Sequence, residues 1–313
     1  MWAWVFWIAV VLAGCVAVAW IFREGLRRLA PESVAKPMRQ APLTASFGIV
    51  VILVYIVFAV FADVLAPYGQ AEVFGQANLP PGADPKFLLG TDQIGRDILT
   101  RLIYGAQNTV GIALITTILA FLLGASFGFL AAAVGGWLDQ LISRVVDVMM
   151  SIPNLIFALL ILTIVGQTTL NMVLVIAVLD STRVFRLARA VGLNIVVMDY
   201  IEAARLRGER LPYIIFREML PNATAPLLAE FGLRFCFVFL LIAALSFLGL
   251  GIQPPLADWG SMVAELAGFI AFAQFAPLTA SLPLMAAGAI ALLTVGVNFV
   301  VDWMLHRSSG LKE

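Results

Sequence analysis

Long apolar runs separated by short polar connections make up almost the whole chain. A bilayer core needs roughly 20 apolar residues per helix, with a range of about 17–25. Seven segments meet that length, approximately 2–22, 43–66, 107–134, 149–166, 169–188, 222–249 and 279–303; Asp180 and Arg183 interrupt the fifth. Lipid satisfies no backbone hydrogen bonds, so a spanning segment is a helix or part of a closed barrel. Runs this long and apolar predict helices, and the fold class is an all-α, polytopic transmembrane bundle.

The polar connections orient it. Segments 23–41, 135–148, 183–217 and 304–313 hold 15 Lys and Arg, whereas 67–106 and 250–278 hold 3. Positive charge marks the cytoplasmic side, which puts the first set and the C-terminus inside and the N-terminus outside. The first span also contains LAGC at 12–15, which looks like a lipoprotein cleavage site. A secretory signal wants positive charge before its apolar core. Here nothing charged precedes Trp2–Trp20, and Arg23, Arg27 and Arg28 follow it, so the segment reads as a retained anchor. Residues 1–41 are expected to be that extra anchor plus a linker, and 42–313 the principal domain.

Composition narrows the chemistry. The chain is 62% hydrophobic and 12% charged with zero net charge, which gives nucleic acid no basic surface and makes membrane lipid its surroundings. Cys15 and Cys236 sit inside apolar runs, and the only histidine, His306, lies seven residues from the end. Disulfide scaffolds, zinc sites and histidine-based catalysis have little to work with. None of the three lysines follows a glycine, so the phosphate loop that many ATPases use has no counterpart. No cofactor is expected in this chain.

Against this background EAARLRGERLPYIIFREMLPN, residues 202–222, concentrates four arginines and three glutamates. Asp199 is a good N-cap, and Glu202 three residues later completes a capping-box-like pair. Ile201, Ala204, Gly208, Leu211 and Ile215 recur at steps of 3 and 4 on one stripe. A short amphipathic helix, about 199–211, is expected to lie across the cytoplasmic face. Pro212 then ends or kinks it, and Pro221 starts the next span. The middle of the stripe is small, at Ala203, Ala204 and Gly208, and a glycine inside a helix costs about 1 kcal/mol relative to alanine. Either the helix is a solvated connection, or another surface approaches its backbone there.

Glu202-Ala203-Ala204, then Gly208 after three residues, then Leu220-Pro221, resembles the EAA motif of ABC importer permeases, with Glu218 at a place that is usually apolar. In that family the motif forms a coupling helix docked in a cleft of an ATPase subunit. The stretch LLGTDQIGRDILTRLIYGAQNTV (88–110) is similar to the dipeptide, oligopeptide and nickel importer permeases of the DppC/OppC type. So are DVMMSIPNLIFALLI (147–161), MLPNATAPLL (219–228) and LSFLGLGIQPPLADWGSM (245–262). Together these cover about residues 42–305.

The resemblance implies a type I ABC importer permease fold: a six-helix core, with the first span here as an extra N-terminal helix. It also implies that Glu202, Ala203, Ala204, Gly208, Leu220 and Pro221 couple to an ATPase, and that ATP-Mg binds partner subunits. The implied partners are a homologous DppB/OppB-like permease in a heterodimer, two ATPase subunits and an extracytoplasmic binding protein, all at a bacterial inner membrane. The chain would be a non-catalytic subunit moving di- or oligopeptides, or nickel or another small solute. An ion-gradient-driven secondary transporter is the alternative from another class; it needs a carboxylate in the membrane, for which Asp180 and Glu230 are the candidates.

Ionisable groups at membrane depth suggest function. Glu230 and Arg234 stand at i, i+4 in the first half of the sixth span, the favourable order for a helical pair. They and Asp180, near Arg183, are candidates for a pathway or gate, or for structural pairing. Asp92, Arg96, Asp97 and Arg101 are expected to form a locally paired turn. Gly124 and Gly128 form GxxxG, a close-packing motif, and Pro153 is expected to kink its helix.

Overall fold

A computed structural model describes residue 14 and residues 16–25 and 41–308. Residues 14 and 16–25 are helical, and positions 2–13 and 15 of the first predicted span, with Trp2, Trp4 and Trp7, lie outside the described residues. From residue 43 onward the elements are α1 (Leu43–Val60), α2 (Ile98–Val134), α3 (Gly136–Met150), α4 (Asn154–Val165), α5 (Thr169–Val196), α6 (Asp199–Leu206), α7 (Leu211–Phe247), α8 (Trp259–Leu266) and α9 (Leu282–Ser308). Two isolated bridge pairs in the 66–97 connection are the only extended pairing among the described residues.

The bundle is built on close helix pairs. α2 packs along α5 through Gly124 and Gly128: a Cβ at Gly124 would fall 2.5 Å from the Ser181 carbonyl oxygen, and one at Gly128 2.7 Å from Ala188 Cβ. The GxxxG reading therefore holds, and it identifies the partner helix. α1 packs on α9, where the Tyr55 hydroxyl donates to the Ala289 carbonyl at 2.8 Å. The main apolar core joins α1, α2, α4, α5, α7, α8 and α9 around Met172, Leu162, Phe239 and Trp259. A second cluster gathers Phe129, Ala188, Ile195, Ile201, Ala204, Ile215 and Met219 where α2, α5, α6 and α7 meet.

Three boundaries differ from expectation. The segment 149–166 is not one straight span, because α3 and α4 meet at a 91° bend across Ser151–Pro153. Pro153 has no N–H to continue α3 and sits at the start of α4 instead. α4 has 12 residues and is about 18 Å long, well short of a 30 Å core. The second change is in α2, which has 37 residues rather than the apolar 28 of 107–134. Asp97 caps it by accepting from Thr100 N–H at 2.8 Å, and its first turns project into the loop end of the bundle.

The third concerns the two prolines after α6. Pro212 opens α7 instead of ending α6, and Pro221 lies within α7 immediately after a π-helical turn, Ile214–Met219. A proline inside a helix loses one bond and crowds the preceding turn. Widening that turn to π geometry makes room.

Candidate coupling surface and buried charges

α6 is fastened from within. Ile201 and Ala204 are fully buried in the second apolar cluster, while Glu202, Ala203, Leu206 and Gly208 are exposed. Tyr200, Ala203 and Leu206 recur at steps of three and form an outward ridge, with Leu206 83% exposed. The two alanines of the motif thus differ: Ala204 packs on its own chain, and Ala203 is exposed. Arg205 Nη2 donates to the Ala133 carbonyl at 3.2 Å and ties α6 to the end of α2.

Two local expectations change. The helix begins at Asp199 with Met198 in the capping position, and no side-chain cap forms, so Asp199 and Glu202 act through the dipole of the first turn. Gly208 lies beyond the end of the helix at φ +79°, not inside it. Its N–H donates to the Arg205 carbonyl at 2.9 Å and that of Glu209 to the Ala204 carbonyl at 3.1 Å, closing α6 in a left-handed turn. Open space surrounds its missing Cβ, so glycine is needed here for backbone conformation rather than for close approach. Glu218, at the usually apolar position, has a carboxylate oxygen 3.8 Å from Arg207 Nη2. Leu220 packs on the second cluster, and Pro221 follows in α7.

Deeper in the bundle, Arg234 Nε on α7 lies 2.6 Å from Glu230 Oε1, the pairing expected from their spacing. Asp180 on α5 faces Arg234 rather than Arg183: the Oδ1 to Nη1 distance is 3.8 Å, and Arg183 is exposed. Arg234 sits near the middle of the apolar part of α7, about 21 Å from Leu220 and about 20 Å from Phe247. Its guanidinium carbon lies 4.7 Å from the centre of the Phe237 ring.

Residues 124–309 match the family model described as "Binding-protein-dependent transport system inner membrane component". The dipeptide transport system permease protein DppC of Alkalihalophilus pseudofirmus is 34% identical over 258 residues, 82% of this chain and 83% of the relative. The di/tripeptide permease DppC of Pseudomonas aeruginosa is 36% identical over 271 residues, 84% and 88% of the two chains. That of Escherichia coli K12 is 37% identical over 256 residues, 80% and 83%. The chain belongs to this permease family. It has the type I ABC permease fold and is a multi-pass inner-membrane protein, the permease subunit of an ABC importer. Family membership favours the importer over the ion-gradient transporter.

At the opposite end from α6, the permease builds an ordered cap from residues 66–97 and α8. Tyr68, Phe74 and Phe87 cluster with ring centroids 4.7–5.7 Å apart. The Thr91 hydroxyl donates to the Gln76 carbonyl at 2.7 Å and accepts from Leu79 N–H at 3.0 Å. Asp92, Arg96 and Arg101 are paired as expected, but the pairing is not local. Glu265 on α8 completes it, at 2.9 Å from Arg96 and 2.6 Å from Arg101, 164 residues along from the latter. Asp97 takes no part and caps α2 instead.

The missed residue had a faint signal, since Glu265 is the only charge between Asp258 and Asp302. Asp258 is buried as the N-cap of α8, and burial pushes its carboxyl pKa up. Hydrogen bonds from Ser261 N–H and the Thr109 hydroxyl, both at 2.8 Å, oppose that shift.

Proposed function

We propose that the permease carries di- or oligopeptides, and that α6 receives the ATPase subunit on the ridge Tyr200–Ala203–Leu206. The peptide reading follows the names of the relatives, which are dipeptide and di/tripeptide permeases. In this reading residues 42–313 form the permease domain and residues 1–41 an added anchor. A homologous permease completes the pore, two ATPase subunits bind ATP-Mg, and a soluble receptor delivers solute to the cap. Glu202, Ala203 and Gly208 belong to the docking surface. Ala204, Leu220 and Pro221 join it to the spans.

One observation carries the proposal. α6 shares a buried cluster with α2, α5 and α7 while its outer ridge is bare, so a push on the ridge displaces three spans together. The apolar and exposed character of that ridge suits a partner cleft better than solvent.

The test is Leu206→Asp in the assembled complex. An anchor residue at an interface centre is worth about 2 kcal/mol or more, which is about 30-fold in affinity. ATPase subunits should co-purify at least that much more weakly, with membrane insertion unchanged. Normal co-purification and transport would remove α6 from the coupling role. Orientation is tested separately: a cysteine at Gly75 should react with impermeant reagents from outside, and one at Leu206 only after the membrane is opened. The reverse labelling would invert the topology.

A further inference from the structure

We propose that Arg234 is a positioning residue for transport: a latch between the two helices that carry α6, held by a carboxylate on its own helix and, when those helices close, by one on the other as well. The inference rests on the reading of α6 as the place where force enters. α5 ends at Val196 and α6 begins at Asp199; α6 ends at Leu206 and α7 begins at Leu211. A displacement of α6 therefore reaches α5 and α7 first, and the gap between them reports it.

The charges across that gap are incompletely paired. Arg234 is 8% exposed and Asp180 3%. At 3.8 Å, Arg234 Nη1 and Asp180 Oδ1 are beyond hydrogen-bond range. Nε is close to Glu230 Oε1, yet its N–H is not directed at that oxygen. Among the described residues Nε, Nη1 and Asp180 Oδ2 are buried without a hydrogen bond. Buried charges strongly disfavour that state. A closure of about 1 Å would bring Nη1 to charge-assisted hydrogen-bond distance from Asp180.

The two carboxylates answer to different variables. Glu230 is four residues from Arg234 on one helix, so its distance hardly depends on where α5 lies. Asp180 is on the other arm, and its distance is the α5–α7 gap itself. A narrow gap adds Asp180 at Nη1 to the Glu230 contact at Nε, and a wide gap leaves the guanidinium with Glu230 alone. This is a two-position element that helix sliding can bias. Arg183, three residues from Asp180, is exposed and makes no ion pair with it among the described residues. The Phe237 ring lies against the guanidinium and favours the charged group there by a cation–π contact.

The experiment uses the full complex with its ATPases and receptor in proteoliposomes, with spin labels at Leu193 on α5 and Leu228 on α7, both exposed. Glu230→Gln frees Arg234 for Asp180 and should shorten the mean label distance. Asp180→Asn removes the cross-helix partner and should lengthen it. Each variant holds the latch in one position, so solute moved per ATP should fall several-fold while ATP hydrolysis continues. A merely structural pair would shift both distances the same way or leave both unmoved, and either result overturns the latch. So does a parallel loss of transport and hydrolysis.

Should a single variant fail to fold, the neutral triple variant Asp180→Asn, Glu230→Gln, Arg234→Met carries the test. It should fold and show a label distance that no longer responds to ATP; an unchanged response overturns the proposal. Coupled transport in the latch variants alongside its loss in Leu206→Asp defeats the latch alone. Coupled transport in Leu206→Asp as well defeats the underlying reading of α6.

Discussion

Replacing Asp92 by alanine should release the cap, raising amide exchange across residues 67–97 by about two to four orders of magnitude while the spans keep their protection. Asp92 is 1% exposed and its carboxylate accepts four hydrogen bonds: from Ile94 N–H at 3.0 Å, Arg96 N–H at 2.9 Å, Arg96 Nε at 2.7 Å and Arg101 Nη1 at 2.7 Å. With Glu265, two carboxylates balance two guanidiniums. Alanine leaves two cations sharing one carboxylate, and Arg101 is as buried as Asp92. Breaking a buried pair costs about 3–5 kcal/mol; as a local opening equilibrium that gives the stated rise. Asp92→Asn keeps an acceptor and should fall between the two. A rise of less than about tenfold, or about 1.4 kcal/mol, would show that the network does not hold the cap.

The second large effect is expected at Gly124. Gly124→Leu should prevent α2 and α5 from closing, and the protein should be recovered aggregated or degraded. The three nearest atoms to a Cβ there are Ser181 O at 2.5 Å, Val184 Cβ at 2.6 Å and Phe185 N at 2.9 Å. Two of these are backbone, so no side-chain rotation makes room. Overpacking by a methylene or so costs typically 1–3 kcal/mol. A leucine adds four carbons between two backbones and should exceed that range. Gly111→Leu is the control, because the same helix has open space at that position. Size-exclusion profiles in detergent should show loss of the monodisperse peak for Gly124→Leu and its retention for Gly111→Leu. Equal behaviour of the two would mean that the α2–α5 contact does not depend on this glycine.

Much of this architecture was legible because apolar runs at bilayer length constrain the chain strongly. The GxxxG pair found its partner helix, and the Glu230–Arg234 spacing gave a contact. What failed depended on backbone detail that residue types encode weakly. Gly208 sits on the same helical stripe as Ile201 and Ala204, so the periodicity assigned it to the helix interior. Only its positive φ shows that it is a terminator. The α3–α4 bend was flagged by Pro153 but read as a kink, since 149–166 is apolar throughout and hydropathy carries no direction. Glu265 and the Asp180–Arg234 pairing join residues 164 and 54 positions from their partners, where no local spacing rule reaches. The ridge proposed for coupling was half visible. The motif singled out Ala203 and Ala204 together, whereas burial separates the two and exposes Leu206, which the motif does not contain.

The wide turn before Pro221 has an effect well beyond its own six residues. Relative to a regular helix, a π turn holds one residue more per loop, and one residue is about 100° of rotation at 3.6 residues per turn. Everything from Leu220 to Phe247 inherits that offset. The turn thus sets the angular phase of α7: it decides which side of the helix meets α5, and hence that Arg234 faces Asp180 rather than the hydrocarbon.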